Sequence, residues 1–237
     1  MKRSLAMILA LALALFLAAC GSTPTSSDGA VGASIQRNQT TQQLESMPES
    51  PEPEEPEAEY VPHDPIVLTG SGDDVLEIDS LDYYYAFRIT GGAAGKHFAV
   101  TTYDANGNYS ELLVNATGQY SGVTYDPSLN VGMIEVKATG EWTIEIVELL
   151  TLDIIEIGDT LTGTGDSVFS LLTAGKTATI SGGAAGKHFA VTTYDGYGQY
   201  NDLLVNTTDP YEGKVILEGD PVIAVVKATG DWSFTLN

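Results

Sequence analysis

Beyond residue 64, apolar and polar residues alternate with a period of two. Phe98, Val100 and Thr102 alternate with Ala99, Thr101 and Tyr103; Trp142, Ile144 and Ile146 with Thr143, Glu145 and Val147; Trp232, Phe234 and Leu236 with Ser233 and Thr235. Successive side chains of a strand point to opposite sides, so this spacing predicts strands with one face buried. Short strands are expected at 75–79, 83–90, 97–103, 109–114, 119–125, 131–138 and 142–148, separated by turns rich in Gly, Asn, Asp and Pro. No stretch of this region carries an apolar helical face with caps. About seven short strands in so short a span predict an all-β fold, an antiparallel β-sandwich of jelly-roll or Ig-like type. Trp142 and Trp232 fall on the inward face and are expected to anchor the core.

The pattern occurs twice. Gly91-Gly92-Ala93-Ala94-Gly95-Lys96-His97-Phe98-Ala99-Val100-Thr101-Thr102-Tyr103-Asp104 recurs identically from Gly182 to Asp195. Leu112–Asn115 recurs at Leu203–Asn206, Val136–Gly140 at Val226–Gly230, and Leu68-Thr69-Gly70 matches Leu161-Thr162-Gly163. A spacing near 90 residues is too long for a short-repeat solenoid. It predicts two tandem domains, 64–150 and 151–237, each small enough to be only modestly stable alone.

The N-terminal quarter follows another rule. Lys2 and Arg3 precede an apolar run from Leu5 to Leu17, then Ala18, Ala19 and the lone Cys20. This reads as a secretory signal over 1–20, shorter than the roughly 20 apolar residues a spanning helix requires. From 21 to 63 the chain turns to Ser, Thr, Pro, Gln and Glu with few large apolar residues. Such a composition cannot bury enough surface to offset its ordering entropy, so a disordered tether is expected.

Leu17-Ala18-Ala19-Cys20-Gly21 resembles the lipobox of bacterial lipoproteins. The resemblance implies cleavage before Cys20, lipidation of that cysteine, and a membrane partner reached through the lipid. It places the folded part in the cell envelope, outside the cytoplasm. The duplicated region, with its Asn-Gly turn between strands and its final Gly-x-Trp strand, loosely resembles the bacterial pre-peptidase C-terminal domain and carbohydrate-binding-like relatives. That resemblance implies a non-catalytic extracellular module.

Composition removes several classes. Ten Lys and Arg face 32 Asp and Glu, a formal charge of -22, and nucleic-acid binding needs the opposite sign. Seven of those acids lie between Glu45 and Glu59, so part of the charge belongs to the tether. One cysteine closes no internal disulfide and builds no thiolate zinc site. The Gly91–Lys96 stretch lacks the spacing of a phosphate loop and its terminal Ser or Thr. Asp104-Ala105-Asn106-Gly107-Asn108 has oxygen donors at alternate positions, as calcium loops do. The second copy, Asp195-Gly196-Tyr197-Gly198-Gln199, breaks that pattern, and a hairpin turn is the better reading. No metal, cofactor or catalytic residues are assigned, and no enzyme activity is expected.

Tyrosine remains. Tyr103 and Tyr109 flank the first turn with Asp104 and Asn106; Tyr194, Tyr197 and Tyr200 flank the second with Asp195. Aromatic rings beside amide and carboxylate groups suit stacking on a sugar or contact with a protein. These eight residues are the candidate ligand site. The function expected is a lipid-anchored surface protein presenting two non-catalytic modules to an extracellular glycan or protein. The alternatives are a structural or accessory envelope role and, further off, a hydrolase.

Overall fold

A computed structural model of the chain describes residues 60–172 and 175–237. The expected signal segment, Cys20 and nearly all of the expected tether lie outside the described residues. Residues 62–237 form one compact unit.

That unit is all-β. The first repeat supplies β1 (Ile66–Ser71), β2 (Asp74–Glu77), β3 (Tyr85–Gly91), β4 (His97–Tyr103), β5 (Tyr109–Thr117), β6 (Tyr120–Thr124), β7 (Met133–Lys137) and β8 (Glu141–Glu148). They form two four-stranded antiparallel sheets in the orders β1-β8-β3-β6 and β2-β7-β4-β5. Consecutive strands are shared between two facing sheets in the order of an eight-stranded jelly roll. Phe87, Ile89, Phe98, Val100, Ile134, Ile144 and Ile146 point inward and are almost fully buried between them.

The second repeat follows the same path. After β9 (Ile154–Ile155) come β10 (Thr160–Thr164), β11 (Ser167–Leu171), β12 (Thr177–Gly182), β13 (Phe189–Tyr194), β14 (Tyr200–Thr207), β15 (Tyr211–Ile216), β16 (Ile223–Lys227) and β17 (Asp231–Leu236). The sheets are β10-β17-β12-β15 and β14-β13-β16-β11-β9 around a core of Phe169, Phe189, Trp232 and Phe234. The extra strand β9 departs from the antiparallel expectation, because it pairs in parallel with β11. It comes straight from the linker and covers the edge of β11, whose N–H and C=O groups would otherwise be free to pair with another chain.

Strand β1 also escapes the sequence reading, because Thr69-Gly70-Ser71-Gly72 has the look of a turn. Gly70 instead lies in the strand opposite Trp142, and the indole covers the place where a side chain would stand. Gly163 does the same under Trp232. Each indole N–H then donates to a backbone carbonyl, Trp142 to Gly72 at 3.0 Å and Trp232 to Gly165 at 2.9 Å. A strand glycine here marks a close approach, as glycines inside strands often do.

The two jelly rolls dock through a third apolar cluster. Ala86, Tyr125, Val147 and Leu149 of the first repeat and the linker meet Val168, Ile223 and Val225 of the second. The last three lie on the outward face of the β14-β13-β16-β11-β9 sheet. In the first repeat, the equivalents of Ile223 and Val225 are Met133 and Glu135, and the Glu135 carboxylate pairs with Lys137 at 3.3 Å. Strand β16 is therefore apolar on both faces where β7 is apolar on one.

Polar contacts fix the docking. Val123 N–H donates to the Asp166 carbonyl at 3.0 Å, and the Tyr120 hydroxyl donates to Asp166 Oδ2 at 2.8 Å. The β13–β14 turn seats Gly198 against Pro127, Leu129 and Tyr125, and a Cβ at that glycine would lie 2.8 Å from the Pro127 carbonyl oxygen. Leu129, the one described non-glycine residue at positive φ, 52°, lies in that receiving loop.

Candidate functional site

The two hairpin turns are built the same way. Asp104 Oδ1 accepts from the backbone N–H groups of Asn106 and Asn108 at 2.8 and 2.9 Å, and Oδ2 accepts from the Asn108 side chain at 2.8 Å. Asp195 Oδ1 accepts from Tyr197 and Gln199 N–H in the same pattern. These bonds to the charged form hold the Asp104 carboxyl below the usual range, the Asn108 side chain contributing most. Asp104 and Asp195 thus act as turn braces. Among the described residues, no three His, Cys, Asp or Glu side chains are grouped as a metal would require.

The tyrosines divide between faces. Tyr103 meets Tyr109 edge-on with ring centroids 6.3 Å apart, and its hydroxyl donates to Glu135 at 3.0 Å. Tyr194 meets Tyr200 in the same way at 6.4 Å. Tyr109, Tyr197 and Tyr200 are about two-thirds exposed. Tyr194 differs from its copy Tyr103, because the docked first repeat brings the Tyr125 ring against it at 5.3 Å. The first hairpin carries Tyr103, Asp104, Asn106 and Tyr109; in the second, Tyr194 and Gly198 meet the neighbouring jelly roll while Tyr197 and Tyr200 stay exposed.

That docking closes a cleft of about 210 Å³. Its floor is the outward face of β13, β14 and β16, with His188, Thr192, Tyr194, Asn206 and Lys227; its wall is Glu111 and Tyr125 of the first repeat. Lys227 Nζ lies 3.7 Å from the Glu111 carboxylate across the junction. His188 Nε2 lies 3.1 Å from Asn206 Oδ1. Tyr125 is 4% exposed, and among the described residues its hydroxyl has no hydrogen-bond partner. That hydroxyl is sealed from solvent beside the Gly198 turn, and leaving it unpaired costs about 1–3 kcal/mol.

The floor has a twin. His97, Thr101, Tyr103, Asn115 and Lys137 occupy the equivalent positions on β4, β5 and β7, with His97 Nε2 3.2 Å from Asn115 Oδ1. No wall stands over that copy among the described residues. Of the cleft residues only Tyr194 is among the eight candidates of the sequence analysis. Glu111, Tyr125 and Lys227 meet only through the docking. The signal that points to them is the exchange of Glu135 for Val225 between otherwise similar strands.

A larger but shallower groove, about 580 Å³, runs over the outward face of β10, β17 and β12. Thr162, Thr164, Ser181 and Ser233 line it, and the Ser181 and Ser233 hydroxyls bond each other at 2.8 Å. Thr162 and Thr164 are exposed, Ser181 and Ser233 half-buried, and the groove adds only the Asp231 carboxylate and the edge of Trp232. The cleft offers the richer chemistry.

Burial raises the phenols around the junction. Tyr120 is raised by burial first and then by the Asp166 carboxylate; Tyr125 by burial and its tyrosine neighbours; Tyr194 to about 12 by burial and then Glu111. The folded protein keeps protons that unfolded tyrosines release near pH 10, so stability is unaffected below about pH 10 and falls as pH rises above it. Urea unfolding across this range is expected to show an alkaline decline that Tyr120→Phe makes shallower. An equal decline in the variant would assign it to other groups.

No protein-family model matches the chain, and no curated protein is similar to it at a significant level.

Proposed function

We propose that the chain is a lipid-anchored bacterial envelope protein that displays a docked pair of jelly rolls for non-catalytic binding of an extracellular ligand. The observation that carries this reading is the cleft at the repeat junction, where aromatic rings and an ion pair surround a concave space. Small sites of this kind, part apolar and with a few polar groups, are where ligands bind. Jelly rolls house lectins among other proteins, which is an analogy of fold and carries less weight than the site. The anchor rests on the signal segment ending at Cys20, which would tether the folded part outside the cytoplasm.

Two measurements test the two halves. In a bacterial host the chain is expected in the membrane fraction, and Cys20→Ser is expected to shift most of it out. An unchanged distribution would sink the anchor. The detergent-solubilised chain is expected to be retained on cell-wall polysaccharide or on a surface protein without altering it. Absence of retention on all of these, or turnover of a glycan, would sink the binding reading.

A further inference from the structure

We infer that the junction cleft, and not the open faces of the repeats, is the binding site, and that it takes a single neutral sugar ring. This deepens the binding reading and rests on it. Size comes first: 210 Å³ is below the roughly 300–1,000 Å³ that drug-sized ligands occupy, so a folded peptide or an extended oligosaccharide does not enter whole. One ring at a chain end or side branch is the scale that fits.

Charge comes second. Glu111 and Lys227 offset each other across the cleft, and the folded unit around them is acidic. A uronic acid or phosphate would enter a region of its own sign. A neutral ligand meets no such barrier.

Hydrogen-bonding capacity comes third. Glu111 accepts, Lys227 donates, and Thr192 and Asn206 can do both. Sugar hydroxyls also donate and accept, and neighbouring hydroxyls on one ring can meet a carboxylate and an ammonium together. The Tyr194 ring, with Leu203 and Val225 beside it, offers an apolar surface to the C–H face of the same ring. An apolar ligand would strand the ion pair, and a fully polar one would waste the tyrosine.

The duplication supplies the test its own control. Asn206 and Lys227 line the cleft; Asn115 and Lys137 occupy the same strand positions on the open face of the first repeat. The two asparagines and both lysines are solvent-accessible, so their truncation is expected to leave the fold intact, as circular dichroism would check. Full chain in detergent is titrated with glucose, galactose, mannose, N-acetylglucosamine and their disaccharides at millimolar concentration, with saturation-transfer NMR as the readout. At least one sugar is expected to bind. Asn206→Ala combined with Lys227→Ala is expected to weaken it about tenfold or more, whereas Asn115→Ala with Lys137→Ala changes it by less than about twofold.

Equal losses in both pairs would assign binding to the face common to the repeats and overturn the cleft, leaving the binding reading standing. So would binding untouched by either pair. A chain that binds a surface protein but none of the sugars would overturn the sugar and keep the binding reading. A chain that binds neither sugars, polysaccharide nor surface protein would overturn both.

Discussion

Gly70→Ala is expected to lower the unfolding free energy by about 2–3 kcal/mol, a large loss for one methyl group. The backbone there is ordinary extended strand, so conformational strain is not the cause. The added Cβ would stand 2.2 Å from Trp142 Cζ2, and the indole would have to leave its place. Moving it breaks the Nε1–H donation to Gly72 and opens the packing of Phe98 below. Trp142→Ala removes the ring outright and is expected to cost about 3–5 kcal/mol. Because both changes act on one contact, the double variant is expected to cost clearly less than the sum. Urea unfolding of the four proteins measures the coupling. Additive losses would show that the glycine and the indole act independently. Gly163 with Trp232, where the Cβ would stand 2.4 Å from the ring, is expected to behave alike.

Asp126→Leu is expected to destabilise by about 2–4 kcal/mol, although the second repeat carries Leu217 at the equivalent place. The Asp126 side chain is 1% exposed. It accepts from Thr102 Oγ1 at 2.5 Å, Ser110 Oγ at 2.9 Å and Ser128 N–H at 2.9 Å, and so organises the loop that receives the second repeat. In the second repeat the same space is solved without a charge. Asn201 donates to Thr193 Oγ1 at 3.3 Å and to the Glu218 carbonyl at 2.7 Å, and Leu217 packs beside them. Adding Ser110→Asn to Asp126→Leu is therefore expected to restore part of the loss. Chemical unfolding decides it. A single variant within about 0.5 kcal/mol of the parent would show that the carboxylate does not organise the loop.

Much of the fold is legible in the sequence because it is local. Alternation along Phe98–Tyr103 and Trp142–Val147 sets which side chains face the core. The Asp and Asn-Gly chemistry of residues 104–108 sets the hairpin. What escapes is set at long range. Strand β1 is hidden by Gly70, whose role exists only opposite Trp142. Strand β9 has two residues and a parallel partner, too little for any periodicity. The cleft depends on Glu111 meeting Lys227, residues more than a hundred positions apart on strands of different repeats. Its trace lies in a comparison of copies: Val225 in place of Glu135 and Leu217 in place of Asp126 mark positions where equal folds have unequal surroundings.

The same inequality limits how the gene can recombine with itself. Exchange between the copies that is confined to Gly91–Asp104 and Gly182–Asp195, identical in amino-acid sequence, leaves the protein unchanged. Exchange that carries β7 into the place of β16 sets Glu135's carboxylate where Val225 meets the first jelly roll, an unpaired charge in an apolar junction. The copies are free to homogenise along their shared hairpins, while at the docking strand they are held to different residues.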